Sequence, residues 1–409
     1  MSNKTYFFLI LLLGSLTALG PFSIDMYLPG FPAIAEDLNT TAAKVSLSLS
    51  GYFIGISAGQ LLYGPLLDRF GRKKPLFIGL VVYILASAGC VFASTIDSLI
   101  VMRVIQAIGS CAATVASVAM VRDLFPVKES PKVFSLLLLV VGVSPMIAPT
   151  IGGYVTAAFG WQAVFVILTA MGIAIFLASV LWLPDSYKPD KNLSLKPRPI
   201  LSNFWSVLRE PQFYTYTFTG AIAFAGLFAY VSGSPLVFME VFHTNEKVYG
   251  WIFAFLSVGF IGSSQLNTLM LRKYSSQQIV QFALVCQVLV GGLFLASALS
   301  GVLTLPITIA FLFFFLCCIG FTNPNAAALC LAPFTKNAGS ASALMGAVQM
   351  GMGTVISVLI SMFEVPSATP MVAAMAGSAL LALVVLLLGK RMITTEVNVQ
   401  QDGDAMVMH

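Results

Sequence analysis

Apolar residues in this chain come in long blocks, and the polar residues gather in short breaks between them. Twelve blocks stand out, at residues 6–30, 45–65, 75–94, 98–121, 132–157, 161–183, 212–237, 248–271, 277–299, 305–330, 340–363 and 369–389. A helix needs about 20 mostly apolar residues to cross a bilayer. The pattern therefore predicts an all-α membrane protein with twelve transmembrane helices. The longest polar stretch before the tail, 184–211, parts the sixth block from the seventh and carries Asp185, Lys188, Asp190, Lys191, Lys196, Arg198 and Arg209. The expected organisation is an N-terminal six-helix bundle over 1–184, a linker over 185–210, a C-terminal six-helix bundle over 211–390 and a tail over 391–409.

Composition agrees with lipid as the solvent. The 409 residues are 58% hydrophobic and 9% charged, whereas soluble domains carry about a quarter charged residues. The first block follows only Lys4, continues through 21–31 and shows no small-residue cleavage pattern, so it is read as a span and not as a cleaved signal. Eighteen of the 21 Lys and Arg residues fall on the face shared by the two termini. Lys44 and Lys247 fall on the other face, and Arg103 lies within a span. Basic residues collect on the cytoplasmic side of membrane proteins, so both termini are expected in the cytoplasm. The net charge of +5 is scattered among loops and gives no reason to expect nucleic acid. The six cysteines sit in apolar blocks at no zinc spacing, and the two histidines, His243 and His409, are too few for a cluster. No metal and no organic cofactor is expected.

A charge at the centre of a membrane helix costs about 2.5–3.5 kcal/mol on insertion scales, which makes each one a functional candidate. Two stand out. Asp25 lies in Gly20-Pro21-Phe22-Ser23-Ile24-Asp25-Met26-Tyr27-Leu28-Pro29, where two prolines weaken helix continuity. Two readings are open for it: a carboxyl inside the membrane, or the end of the first helix at the outer surface. Arg103 lies near the outer end of the fourth span, with Gln106 one turn on. It either snorkels outward or pairs with Asp25, directly or through Gln106 or water. Such a couple would suit proton coupling, because a substrate that displaced the contact would change the protonation of Asp25. Phe22, Met26, Tyr27, Tyr52, Phe53, Met146, Phe228, Tyr230 and Met350, with polar Asn323, Asn325 and Gln349, are candidates for a soft substrate cavity. In the fifth span, Pro145, Pro149, Gly152 and Gly153 read as a hinge or a tight interface. Faint duplication relates Arg72-Lys73 to Arg272-Lys273 and Gly153 to Gly353.

Several motifs carry a resemblance to a known family. Gly64-Pro65-Leu66-Leu67-Asp68-Arg69-Phe70-Gly71-Arg72-Lys73 resembles the loop between helices 2 and 3 of the major facilitator superfamily. Leu99, Arg103 and Gln106 match its helix 4 motif, with Ala107 where glycine is usual. The 142–153 run resembles the helix 5 motif of drug:proton antiporters, with Ser144 and Ala148 in place of two glycines. Gly160-Trp161-Gln162-Ala163-Val164-Phe165 looks like the usual start of helix 6. Ser23–Pro29 together with Met120-Val121-Arg122-Asp123 is similar to the bicyclomycin/chloramphenicol resistance family.

The resemblance implies an exporter of small drugs in exchange for protons at a bacterial inner membrane, expected to work as a monomer. It implies that Asp25 takes the proton or contacts substrate and that Arg103 and Gln106 couple to it. Gly64, Asp68, Arg69, Gly71 and Arg72 would latch the two halves, with Asp123 as partner. The main alternative is a nucleobase, nucleoside or similar metabolite transporter on the same scaffold, since a fold does not fix a substrate. An enzyme is not expected, because no nucleophile constellation or phosphate loop is present in the sequence.

Overall fold

A computed structural model describes residues 3–125, 130–187, 189, 197–334, 338–363 and 367–393. Lys128, Lys188, linker residues 190–196, Lys336 and tail residues 394–409 lie outside the described residues. The described residues form fourteen α-helices: α1 (Asn3–Asp25), α2 (Phe31–Asp37), α3 (Ala42–Phe70), α4 (Lys73–Val91), α5 (Ile96–Leu124), α6 (Ser130–Phe159), α7 (Gln162–Trp182), α8 (Pro197–Leu208), α9 (Pro211–Pro235), α10 (Glu246–Met270), α11 (Ser276–Leu299), α12 (Leu305–Leu331), α13 (Ala338–Ser361) and α14 (Thr369–Lys390). Twelve candidate membrane spans result, with α1 and α2 together making the first, Tyr6–Asp37. An even number of spans leaves both chain ends on one face. Most described basic residues outside the spans lie there, and it is the basic face below.

Local chemistry sets the helix starts. Thr41, Thr95, Asn245 and Ser275 each accept a backbone N–H three residues on, satisfying one orphan donor at the start of α3, α5, α10 and α11. Three elements differ from the hydropathy reading. The first span runs on past residue 30 to Asp37, because the chain turns at Met26–Tyr27, makes a 3-10 turn over Leu28–Gly30 and resumes as α2. The linker contains a helix, α8, whose Val207 is buried against the second half. After Pro235, α9 passes into a π-helical stretch, Leu236–Val241, before the loop to α10.

The first six spans pack mainly on one another, and so do the last six; α3 with α13 and α6 with α10 form the principal seams between them. Glycine sets how closely α6 and α10 approach. A Cβ on Gly250 would stand 2.8 Å from Thr150 Cα and 2.9 Å from the Pro149 carbonyl oxygen, and one on Gly153 would collide with the Glu246 carbonyl. Gly353, at the matching offset in α13, instead faces the Phe228 ring of its own half. On the α3–α13 seam, Ser50 donates to Ser357 Oγ at 2.7 Å, and Ser232 of α9 reaches the same oxygen at 2.9 Å. The rings of Phe53 and Phe228 meet at 4.5 Å across the halves. Nearer the basic face, Ser57 donates to the Ala347 carbonyl at 2.9 Å. About two turns further on, a Cβ on Gly64 would meet nothing within 4 Å. The seam is thus closed from the opposite face through the middle and loosens at the basic end of α3.

The close backbone contact of α6 with α10 can be tested by size. Gly250→Val is expected to destabilise the protein by about 1–3 kcal/mol through overpacking. Gly262→Ala, a control on the same helix whose added methyl meets open space, should be neutral or slightly stabilising. Equal unfolding midpoints for the two variants in detergent would contradict the contact.

Candidate functional site

Arg103 is fully buried in the first half, about two turns into α5. Its Nη2 donates to the Ser23 carbonyl at 2.8 Å and its Nη1 to Gln106 Oε1 at 2.6 Å. Gln106 Nε2 in turn donates to Ser87 Oγ at 2.8 Å. The guanidinium lies 4.2 Å from the Tyr27 ring centroid and 4.3 Å from that of Tyr52. Buried cations need compensation, and here two aromatic faces, a carbonyl and an amide supply it. Ser23 Oγ and Tyr83 OH, 2.8 Å apart, tie α1 to α4 beside this cluster.

Asp25 lies at the break in the first span, twelve residues short of its end at Asp37. α1 does end at Asp25, as one reading expects, but the residue is only 5% exposed and is packed among protein, not set on a solvated surface. No ion pair or hydrogen bond joins it to Arg103, and Gln106 is committed to Arg103 and Ser87. The direct couple, and the one through Gln106, are thereby corrected. Ser23 presents its carbonyl to α5, and two residues further a helix has turned about 200°, which carries Asp25 to the other side of α1. There the neighbouring Met26 packs in one buried cluster with Tyr230 of α9 and Tyr249 of α10, both in the second half and near enough to Asp25 for its charge to bear on their phenols. Tyr249 OH is hydrogen-bonded with Ser234 Oγ at 2.8 Å, whereas the buried Tyr230 hydroxyl has no hydrogen-bond partner among the described residues.

The cavity candidates divide into groups. Tyr27 and Tyr52 are spent on Arg103, and their hydroxyls on Ser48 and Ser110. Met26, Phe53, Phe228 and Tyr230 are buried in one cluster spanning both halves, with Phe22 and Met350 packed against it. Met146 is half-buried on α6. Asn323 and Gln349 are bonded to each other nearer the basic face. Pro145 and Pro149 lie inside α6, while a Cβ on Gly152 would strike the Met26 carbonyl, so this run packs against the break beside Asp25 and against α10. Sequence reasoning missed Ser23, Tyr83, Ser87 and the Ser50–Ser357–Ser232 chain. A serine in an apolar helix carries no pattern that marks it.

The charged loop forms a second cluster on the basic face. Arg72 Nη1 bonds Asp68 Oδ1 at 2.6 Å and its Nε bonds Asp123 Oδ2 at 2.8 Å. Burial works against the charge of Arg72, but the bonds to Asp123 and Asp68 outweigh it and raise its pKa. The Arg72 guanidinium also lies 4.1 Å from the Tyr187 ring centroid, Ser186 donates to Asp123, and Lys73 pairs with Asp185 at 3.2 Å. Gly71 takes φ +81°, a conformation favouring glycine, close to Pro189. Arg69 lies beside the Phe70 ring. These contacts join α3, α5 and the start of the linker, and none of those named reaches the second half in this conformation.

Asp25→Asn should not strand Arg103. Its unfolding free energy is expected to change by less than about 1 kcal/mol, against a loss of about 2–5 kcal/mol for Arg103→Ala, which leaves a cavity and unpaired Ser23 and Gln106 groups. Comparable losses in detergent unfolding would mean that the two are paired after all. In the loop, the Asp123 side chain is 14% exposed and that of Asp68 is 48%. Asp68→Ala should therefore cost less than about 1 kcal/mol and Asp123→Ala distinctly more. The reverse order would contradict Asp123 as the main anchor of Arg72.

The comparisons with known proteins agree with this architecture. The family described as Major Facilitator Superfamily matches residues 13–358. The chain is 31% identical over 373 residues to a "Bicyclomycin resistance protein homolog" of Haemophilus influenzae, covering 90% of this chain and 92% of the relative. It is 28% identical over 297 residues to a "Chloramphenicol resistance protein" of Pseudomonas aeruginosa, covering 70% and 69%. The crystal structure of a D-xylose-proton symporter shares the fold, with a TM-score of 0.74 at 13% identity over 96% of this chain and 98% of that one. The chain is a multi-pass membrane protein and a secondary transporter, not an enzyme, and it belongs to the major facilitator superfamily.

Proposed function

We propose that the protein exports small amphipathic drugs across a bacterial inner membrane in exchange for protons, by alternating access to a site between its two halves. The observation that carries this reading is Asp25, a carboxyl buried at a helix break, without a hydrogen-bond partner among the described residues, facing the other half of the molecule. The cost of burying a lone carboxylate far exceeds that of its neutral form. Its proton occupancy therefore follows whether the site is wet, dry or filled. Where substrate and proton exclude each other, each lowers the affinity for the other by the same factor, which is the requirement for exchange. One such carboxyl suggests one proton per cycle.

The relatives named for resistance to two antibiotics support outward drug transport. The Lys and Arg bias supports a cytoplasmic basic face holding both termini. In that orientation the seam is closed toward the outside and looser toward the cytoplasm. Arg103 and Gln106 serve by fixing the shape of the broken span and so aiming Asp25. Asp68, Arg69, Arg72 and Asp123 serve as a latch that holds the α3–α4 loop to α5 and the linker, and the chain works as a monomer.

Expression in an efflux-deficient bacterium tests the reading. Tolerance to bicyclomycin and chloramphenicol is expected to rise several-fold and, in Asp25→Asn, to fall to the level of cells without the transporter while membrane insertion is unchanged. Undiminished efflux driven by a pH gradient in Asp25→Asn would sink the assignment. Altered growth on purines with no change in tolerance would instead favour metabolite transport.

A further inference from the structure

Near the basic face, three helices of the second half line a small, partly open cleft of about 60 Å³. Its walls include Tyr216 and Ala221 of α9, Asn323 and Ala326 of α12, and Met345 and Gln349 of α13, and none of its lining residues is charged. It is far smaller than a drug pocket, yet like such pockets it combines apolar walls with a few polar groups, and it suits the polar end of a small ligand. Pro324 lies inside α12 and has no N–H to give the Gly320 carbonyl, so the helix is weakened one residue from Asn323.

Gln349 Nε2 donates to Asn323 Oδ1 at 3.0 Å. That bond uses one donor and one acceptor. Gln349 keeps its Oε1 and a second N–H, and Asn323 keeps both of its N–H groups, with no further hydrogen bond to described residues. Exchanging O and N in both amides leaves the same result, an unused acceptor beside an unused donor. Asn325, two residues away, is different. It is buried, and its amide nitrogen is committed to Asn267 Oδ1 at 2.7 Å and the Phe321 carbonyl at 2.8 Å. Only the Asn323–Gln349 pair offers the cleft an open amide edge. The same turn of α13 touches the first half, since Ser57 donates to the Ala347 carbonyl and a Cβ on Gly346 would run into Gln60. A molecule held at Gln349 therefore sits beside the seam that must open and close.

We propose that Asn323 and Gln349 anchor a neutral ligand that presents an N–H donor next to a C=O acceptor, as lactams, cyclic imides and pyrimidine bases do. Its apolar body packs on Ala221, Ala326 and Met345. Two amide edges satisfy each other through paired hydrogen bonds, and a ligand lacking its N–H leaves one protein acceptor unpaired. This deepens the efflux reading and rests on it in one respect, that the space between the halves carries the transported molecule.

The test is calorimetric titration of the purified full-length protein in detergent with thymine, with glutarimide and with N-methylglutarimide, which keeps both carbonyls and lacks the N–H. Thymine, glutarimide or both are expected to bind. N-methylglutarimide should bind at least about tenfold more weakly than glutarimide where glutarimide binds. Gln349→Met and Asn323→Ala should weaken imide binding by a similar factor, with the unfolding midpoint of Gln349→Met unchanged. Binding of thymine alone supports the anchor and assigns it to nucleobases, whereas binding of glutarimide alone supports it and assigns other imides. Absence of imide binding in the natural protein, equal binding of the N-methyl compound, or unchanged affinity in a folded Gln349→Met would overturn the proposal. The efflux reading fails by a different result, the absence of drug tolerance in cells making the natural protein, and that result does not alter the titration.

Discussion

A guanidinium sealed inside a six-helix bundle must find its partners there, and the burial of Arg103 organises the first half around that requirement. An arginine stays charged, so the cost of its burial is met only if surrounding groups turn toward it. The Ser23 carbonyl, Gln106 and the faces of Tyr27 and Tyr52 do so. Together they hold α1, α3 and α5 in one arrangement. They also fix the rotation of the first span, and that rotation sends Asp25 toward the second half. The two intramembrane charges are thus linked through helix geometry and not through an ion pair.

The seam between the halves gives that carboxyl its setting. Glycines at 152, 153 and 250 let backbones meet around the break in the first span, and the serine chain joins α3, α9 and α13 beside it. Small residues and short hydrogen bonds are contacts that two rigid bodies can make and release without unfolding either. Asp25 belongs to one half and Tyr230 and Tyr249 to the other, so such a rearrangement would part the carboxyl from the two phenols. A change in the seam and a change in the surroundings of Asp25 are then the same event, as alternating access at a repeat interface requires.

Much of this was legible in the residues. Block hydropathy located all twelve spans, because lipid demands a continuous apolar run for each. Pro21 and Pro29 pointed to a weakened helix, although the chain's resumption as α2 depends on packing that no local pattern records. Intramembrane charge singles out Asp25 and Arg103, yet opposite charge alone does not decide whether they meet. Direction around the helix decides it, and rotation about an axis is set by tertiary contacts. Ser23, Ser87 and Ser357 were invisible for a related reason, since a serine in a membrane helix often bonds its own backbone and becomes a cross-link only when another helix comes near. The loop motif announced its ion pairs. Asp123 was among the expected partners, but nothing announced that Arg72 would also stack on Tyr187 of the linker.

The central claim is that Asp25 exchanges a proton for substrate. Proton release on drug binding tests it most directly, measured with a pH indicator in weakly buffered detergent solution of the purified protein. The account predicts release of about one proton per bound drug molecule in the natural protein and none in Asp25→Asn, with Arg103 still in place. Equal release from both proteins would contradict it and move the proton to another group.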